Sequence, residues 1–139
     1  LDGFFLDNTD IYYQYPNEEI YQGLKTILTG LKQYSLPLIL NGGDTFVQKS
    51  IEDGSALSLF DGVNQECVFT KIDFSKPSYL SQDKETRAYY EEYLEKAKTA
   101  GLSVYLTEYQ ANSELSQEIE QYCKENGFLW YNAESLELR

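Results

Sequence analysis

At 139 residues the chain has the length of one domain, and 42% hydrophobic with 15% aromatic residues excludes a disordered polymer. The 11 Lys and Arg against 23 Asp and Glu give a net charge of −12, a surface that repels phosphate backbones and anionic lipid. Nucleic acid and membrane insertion are thereby disfavoured, and no apolar run is long enough to span a bilayer.

The first element is the apolar run Phe4-Phe5-Leu6, read as a buried parallel strand that delivers Asp7, Asn8 and Asp10 at its end. It stands so near Leu1, with no initiator Met, that the chain reads as an excised domain lacking its N-terminal strands and any targeting signal. Residues 11–16 read as an aromatic loop closed by Pro16. Asn17 is placed to cap a helix with Glu18 and Glu19 in its first turn, and Ile20, Leu24, Ile27, Leu28 and Leu31 form its apolar stripe. Leu38-Ile39-Leu40-Asn41 is a second strand. Asp44 is expected to cap a short helix through Phe46, Val47 and Ile51.

The third strand is expected over residues 62–69, followed by a long connection, residues 70–83, of the kind that more often serves function than mere linkage. Residues 86–99 form a charged amphipathic helix with Gly101 beyond its end. Residues 102–109 give a fourth strand ending in Glu108. Ser113 is expected to cap a helix carrying Leu115, Ile119 and Tyr122, and residues 128–133 give a fifth strand. Strand and helix alternate without a hairpin signal, which calls for an α/β fold with a parallel sheet and right-handed crossovers. Neither a Gly-x-Gly-x-x-Gly turn nor a Walker loop follows any strand, so no nucleotide cofactor is implied.

Chemistry must come from carboxylates, amides, tyrosines or lysines. There is no histidine, hence no Ser-His-Asp or Cys-His triad and no imidazole metal site. Cys67 and Cys123 sit in no paired motif, and nothing requires a disulfide. Two segments share one grammar: Asp2-Gly3 is followed by Asp7, and Asp61-Gly62 by Glu66, at the same offset. In a (β/α)8 barrel, alternate strands contribute to one interior layer, which would place Asp7 and Glu66 across Asn41. A strand spacing of about 4.8 Å then puts the carboxyls roughly 5–9 Å apart, a range that includes both retaining and inverting glycosidases. The plainer reading is that each acid caps a helix or anchors a loop. Asp7 and Asp10 lack the ligand spacing of a calcium loop, though a metal-dependent hydrolase using Asp7, Asp10 and Glu66 is a further alternative. Tyr12, Tyr13, Tyr15, Tyr109 and Tyr131 fall near strand ends, where rings can stack on the apolar faces of sugars; Tyr90, Tyr93 and Tyr122 read as packing.

These residues resemble a known family. The opening segment through Asp10, the run from Asp61-Gly62-Val63 to Glu66 and Phe69-Thr70, and the late Gly127-Phe128-Leu129-Trp130-Tyr131 are similar to the endo-α-1,4-polygalactosaminidases, glycoside hydrolase family 114. The resemblance implies the C-terminal portion, about five βα units, of a (β/α)8 TIM-type barrel forming a single partial domain over residues 1–139. It implies extracellular or cell-surface hydrolysis of α-1,4-linked galactosamine and N-acetylgalactosamine polysaccharide, with no cofactor or metal. By position Asp7 would be the nucleophile and Glu66 the acid/base. Asn8, Asp10, Asn41 and Glu108 would line the subsites, and the strand-end positions of Tyr13, Tyr109, Tyr131 and Asn132 add further substrate-binding candidates. Asn64-Gln65 departs from the apolar residues expected before the second acid. The alternative is a non-catalytic carbohydrate-binding or structural barrel fragment. On either reading, a five-stranded piece leaves unpaired sheet edges, so it is expected to self-associate, to pair with the missing N-terminal half, or to have been cut from a complete barrel.

Overall fold

The computed structural model describes residues 1–76 and 78–137; Pro77 of the long connection and residues 138–139 of the expected tail lie outside the described residues. In chain order the first elements are β1 (Phe4–Leu6), α1 (Ile11–Gln14), α2 (Glu18–Lys32), β2 (Leu38–Asn41), α3 (Asp44–Glu52), α4 (Ala56–Leu59) and β3 (Gly62–Glu66). They are followed by β4 (Thr70–Asp73), β5 (Ser78–Ser81), α5 (Lys84–Thr99), β6 (Ser103–Tyr109), α6 (Ser113–Asn126) and β7 (Leu129–Ala133). Five strands form one parallel sheet in the order β1-β2-β3-β6-β7, with helices in the crossovers, and β4 and β5 form a separate antiparallel pair.

Several corrections concern local structure. The third strand stops at Glu66, and the expected loop after it is a β-hairpin, with Thr70 opposite Ser81 and Asp73 opposite Ser78. The expected aromatic loop is in part helix α1, and a short α4 precedes β3. Helix ends follow local chemistry. Asn17 caps α2 by accepting from the Ile20 amide at 2.9 Å, as expected. Asn112, rather than Ser113, caps α6 by accepting from the Leu115 amide at 2.8 Å. Gly43, in the left-handed region at φ 73°, takes the cap position of α3, so Asp44 falls one residue inside, in the first turn.

The chain divides into two compact units, Leu1–Asn64 with Tyr93–Ser103, and Gln65–Glu92 with Val104–Arg139. In the first, Tyr12, Tyr21, Phe46 and Phe60 pack ring against ring, and Leu38, Leu40 and Val63 of the strands are fully buried. Buried Tyr21 and Leu28 carry the inner face of α2, while Ile27 of the expected stripe is exposed. Tyr21 donates its hydroxyl to Asp53. Burial pushes that carboxyl up, but the Ser55 and Tyr21 hydrogen bonds and the Lys25 charge outweigh it and hold Asp53 at about 2. In the second unit, Phe69, Leu106, Ile119, Cys123 and Phe128 form the core. The Arg87 guanidinium lies 4.1 Å from the Phe69 ring centre and pairs with Glu91 and Glu118.

The repeated Asp-Gly pair has a packing cause. A Cβ on Gly3 would stand 2.8 Å from the Pro37 carbonyl oxygen, and one on Gly62 would stand 2.7 Å from that of Ser103. Each glycine lets the neighbouring backbone come closer than a side chain allows. Asp61 is an anchor, accepting from the Leu38 amide at 2.9 Å and from Lys32 Nζ at 2.8 Å. Gly62→Ala is expected to destabilise the fold by about 2–3 kcal/mol in urea unfolding, since backbone must move to admit the methyl. An unchanged midpoint would contradict this close approach.

Candidate functional site

The strands deliver polar side chains through a shared backbone device. Asp7 is followed by Asn8 at φ 69°, Asn41 by Gly42 at 69°, Glu66 by Cys67 at 59° and Tyr109 by Gln110 at 48°. Each chain therefore leaves its strand by a left-handed residue directly after the polar one. Three of the four are not glycine, a conformation costing about 1–2 kcal/mol that tends to persist where function holds it.

In the first unit these ends form a ladder. Asp7 Oδ1 accepts from the Asn8 amide at 3.0 Å and from Asn41 Nδ2 at 3.4 Å, and Asn41 Oδ1 accepts from Asn64 Nδ2 at 2.8 Å. The register that pairs Asn41 with Asn64 explains the contact. Asn64, absent from the expected site, shares the face of Glu66 because the two are one strand repeat apart. Asp7, Asn8 and Asp10 are exposed, and Tyr13 stands 72% exposed on α1.

In the second unit Glu66, half-buried at the end of β3, accepts the hydroxyl of Tyr109 on Oε1. Burial, and then this bond to Glu66, hold the Tyr109 hydroxyl well above the ordinary tyrosine range, so it remains a donor. The Tyr109 ring stacks on Tyr79 of β5, centres 5.9 Å apart and planes 15° from parallel. Glu66 also lines a cleft of about 370 Å³ with Cys67, Lys71, Ile72, Phe74 and Gln82. Cys67 is no nucleophile there, because burial, with the charges of Glu108 and Glu66, pushes its thiol up to about 12.

Three of the expected substrate contacts meet groups of the protein itself. Glu108 is fully buried, and its carboxylate accepts from the Phe69 amide at 3.1 Å, the Thr70 amide at 3.1 Å and the Thr70 hydroxyl at 2.7 Å. It anchors the start of β4. Tyr109 is 1% exposed and offers no open ring face. Asn132 closes both amide groups on the Ala111 backbone, accepting at 2.9 Å and donating at 3.1 Å. Tyr131 keeps an exposed ring, 51% accessible. Trp130, by contrast, donates Nε1 to Glu120 of α6 at 2.6 Å.

No protein-family model matches the chain, and no curated protein matches it in sequence. Solved structures do match in fold. The glycoside hydrolase domain of PelA from Pseudomonas aeruginosa superposes over 99% of this chain with a TM-score of 0.74 at 17% identity. A Glu-to-Ala variant of that domain gives the same TM-score at 16% identity. The match covers 54% of the solved chain, so this chain spans about half the length of the protein it resembles. Identity at this level carries the fold, and the five βα units are a part of a TIM-type barrel shared with a glycoside hydrolase domain. The resemblance read from the sequence is borne out at that level. Among the described residues, no helix is long and apolar enough to cross a membrane.

Burial pushes the Glu108 carboxyl up to about 7, outweighing the lowering pull of the Thr70 hydroxyl and the Phe69 and Thr70 amides. Its ordinary value is 4.5, so between these pH values the folded state holds more protons than the unfolded chain. Glu108 therefore contributes stability that is fully present below pH 4.5 and is lost as pH rises through about 7. Urea unfolding should show stability falling by about 1–3 kcal/mol across this window, and Glu108→Gln should remove that slope. A slope unchanged in the variant would contradict the assignment.

Proposed function

We propose that the chain is part of a glycoside hydrolase that cleaves α-1,4-linked galactosamine and N-acetylgalactosamine polysaccharide, outside the cell or at its surface. Glu66 is the general acid/base and Asp7 the nucleophile. The observation that carries this reading is Glu66 itself: a half-buried strand-end carboxyl, held by the Tyr109 hydroxyl beside a cleft, in a fold shared with a glycoside hydrolase domain. Active sites of parallel α/β barrels lie at that edge of the sheet.

Two carboxyls suffice for the reaction. An Asp7 oxygen bonds to the anomeric carbon as the bond from that carbon to the leaving oxygen breaks, and the Glu66 proton passes to that oxygen. The Glu66 carboxylate then takes a proton from water, whose oxygen displaces Asp7 from the sugar. The hydrogen bond from Tyr109 orients Glu66 for both proton transfers, since a general acid works only within hydrogen-bond reach of its oxygen. Asn41 supports Asp7 from the side. Asn8, Asp10, Tyr13 and Tyr131 supply exposed polar and aromatic groups for sugar contacts. The net charge of −12 suits a partly deacetylated, cationic polymer.

A second reading is a non-catalytic carbohydrate-binding or structural piece of a barrel, in which Asp7, Asn41 and Asn64 hold one another only as strand-end anchors. Cleavage of a galactosaminogalactan by the full-length protein separates the two. Glu66→Gln and Asp7→Asn should each lower turnover by about a thousandfold, the size expected for a lost acid or nucleophile. Undiminished turnover in Glu66→Gln overturns the catalytic assignment.

A further inference from the structure

The β4–β5 hairpin interrupts an otherwise regular βα succession, and it is built against the support of Glu66. At its base Thr70 is fixed from both sides: its amide and hydroxyl donate to Glu108, and its hydroxyl accepts from the Tyr109 amide at 3.1 Å. At its return, Gln82 closes the loop through its amide to the Phe69 carbonyl at 2.8 Å and its Nε2 to the Cys67 carbonyl at 3.0 Å. Between these points Tyr79 stacks on Tyr109, whose hydroxyl holds Glu66. The hairpin is thus keyed to the acid.

The start of its turn is shaped by Asp73. Asp73 Oδ1 accepts from the Ser75 amide at 3.0 Å and the Ser75 hydroxyl at 2.6 Å, folding the turn around Phe74. Phe74 is 78% exposed and lines the same 370 Å³ cleft as Glu66, with Lys71 and Ile72 beside it. The cleft lies within the range of about 300–1,000 Å³ typical of small-molecule sites. Burying a phenylalanine side chain is worth about 1.5–3 kcal/mol, so a tethered turn that holds one in water forgoes that gain.

We propose that this hairpin is the wall of a pyranose subsite adjoining Glu66, with the Phe74 ring as its stacking surface and Lys71 as a donor to sugar oxygens. The proposal rests on the glycosidase reading for its substrate class. In a galacto-configured ring the axial O4 stands on one face, and the C–H bonds at C3, C4 and C5 gather on the other as an apolar patch that matches the flat side of a phenylalanine. The Lys71 ammonium offers donors and no acceptor, which suits ring hydroxyls and the acetamido carbonyl.

The test uses the full-length protein and α-1,4-linked galactosamine oligosaccharides of defined acetylation. Calorimetric titration into a Glu66→Gln background, where cleavage is silenced, reads affinity directly. Phe74→Ala should weaken binding about tenfold and Phe74→Tyr should retain it, the size expected of one aromatic contact. In the cleaving enzyme the Phe74→Ala loss should be carried by KM rather than kcat. Unchanged affinity in Phe74→Ala, alongside cleavage that depends on Glu66, overturns the subsite and leaves the glycosidase reading standing. Weakened binding in Phe74→Ala, with cleavage unaffected by Glu66→Gln, supports the subsite and overturns the catalytic role of Glu66.

Discussion

A buried carboxylate holds the second unit together. Glu108 occupies a fully buried position yet meets the Phe69 and Thr70 amides and the Thr70 hydroxyl, donors that would otherwise be left unsatisfied where the chain turns from β3 into the hairpin. Leaving such groups unpaired in a core costs about 1–3 kcal/mol each. From this point the rest follows by adjacency. Thr70 accepts the Tyr109 amide, Tyr109 reaches Glu66 with its hydroxyl, and Tyr79 of the hairpin covers the Tyr109 ring. The position of the candidate acid follows from how one buried carboxyl is satisfied.

The first unit solves a different problem with uncharged groups. Asp7, Asn41 and Asn64 hold one another in sequence, so that a strand-end acid is set laterally by amides. Amides give direction without adding charge, which leaves Asp7 available as an acceptor. The close approaches at Gly3 and Gly62 let β1 lie against the start of β2 and β3 against the start of β6. Rigid strands with polar ends suit a site better than loops do, because packing fixes the side-chain direction.

Much of this was legible in the residues. Hydrophobic runs separated by amphipathic segments specify the five strands and the parallel sheet, and Asn17 announces the start of α2. The matched Asp-Gly pairs point to Asp7 and Glu66, although the glycines serve packing. The burial of Glu108 was hidden because a polar strand end looks alike whether it faces an opening or a backbone. Parity carries the missing signal: Val104, Leu106 and Glu108 alternate on one face, and the first two are core residues. The hairpin gave no two-residue turn signature; its turn is made by Asp73 closing on Ser75, a contact visible only in space. The left-handed exits at Asn8, Cys67 and Gln110 were equally hidden, since none carries the glycine that usually marks them.

The central claim is that Glu66 gives a proton to a leaving oxygen, and leaving-group dependence tests it most directly. Glu66→Ala in the full-length protein should be compared on polysaccharide and on a galactosaminide carrying a dinitrophenyl leaving group, which departs without protonation. In kcat/KM, which reports the step that breaks the glycosidic bond, the loss should be about a thousandfold on polysaccharide and far smaller on the activated glycoside. Equal loss on both substrates would contradict it.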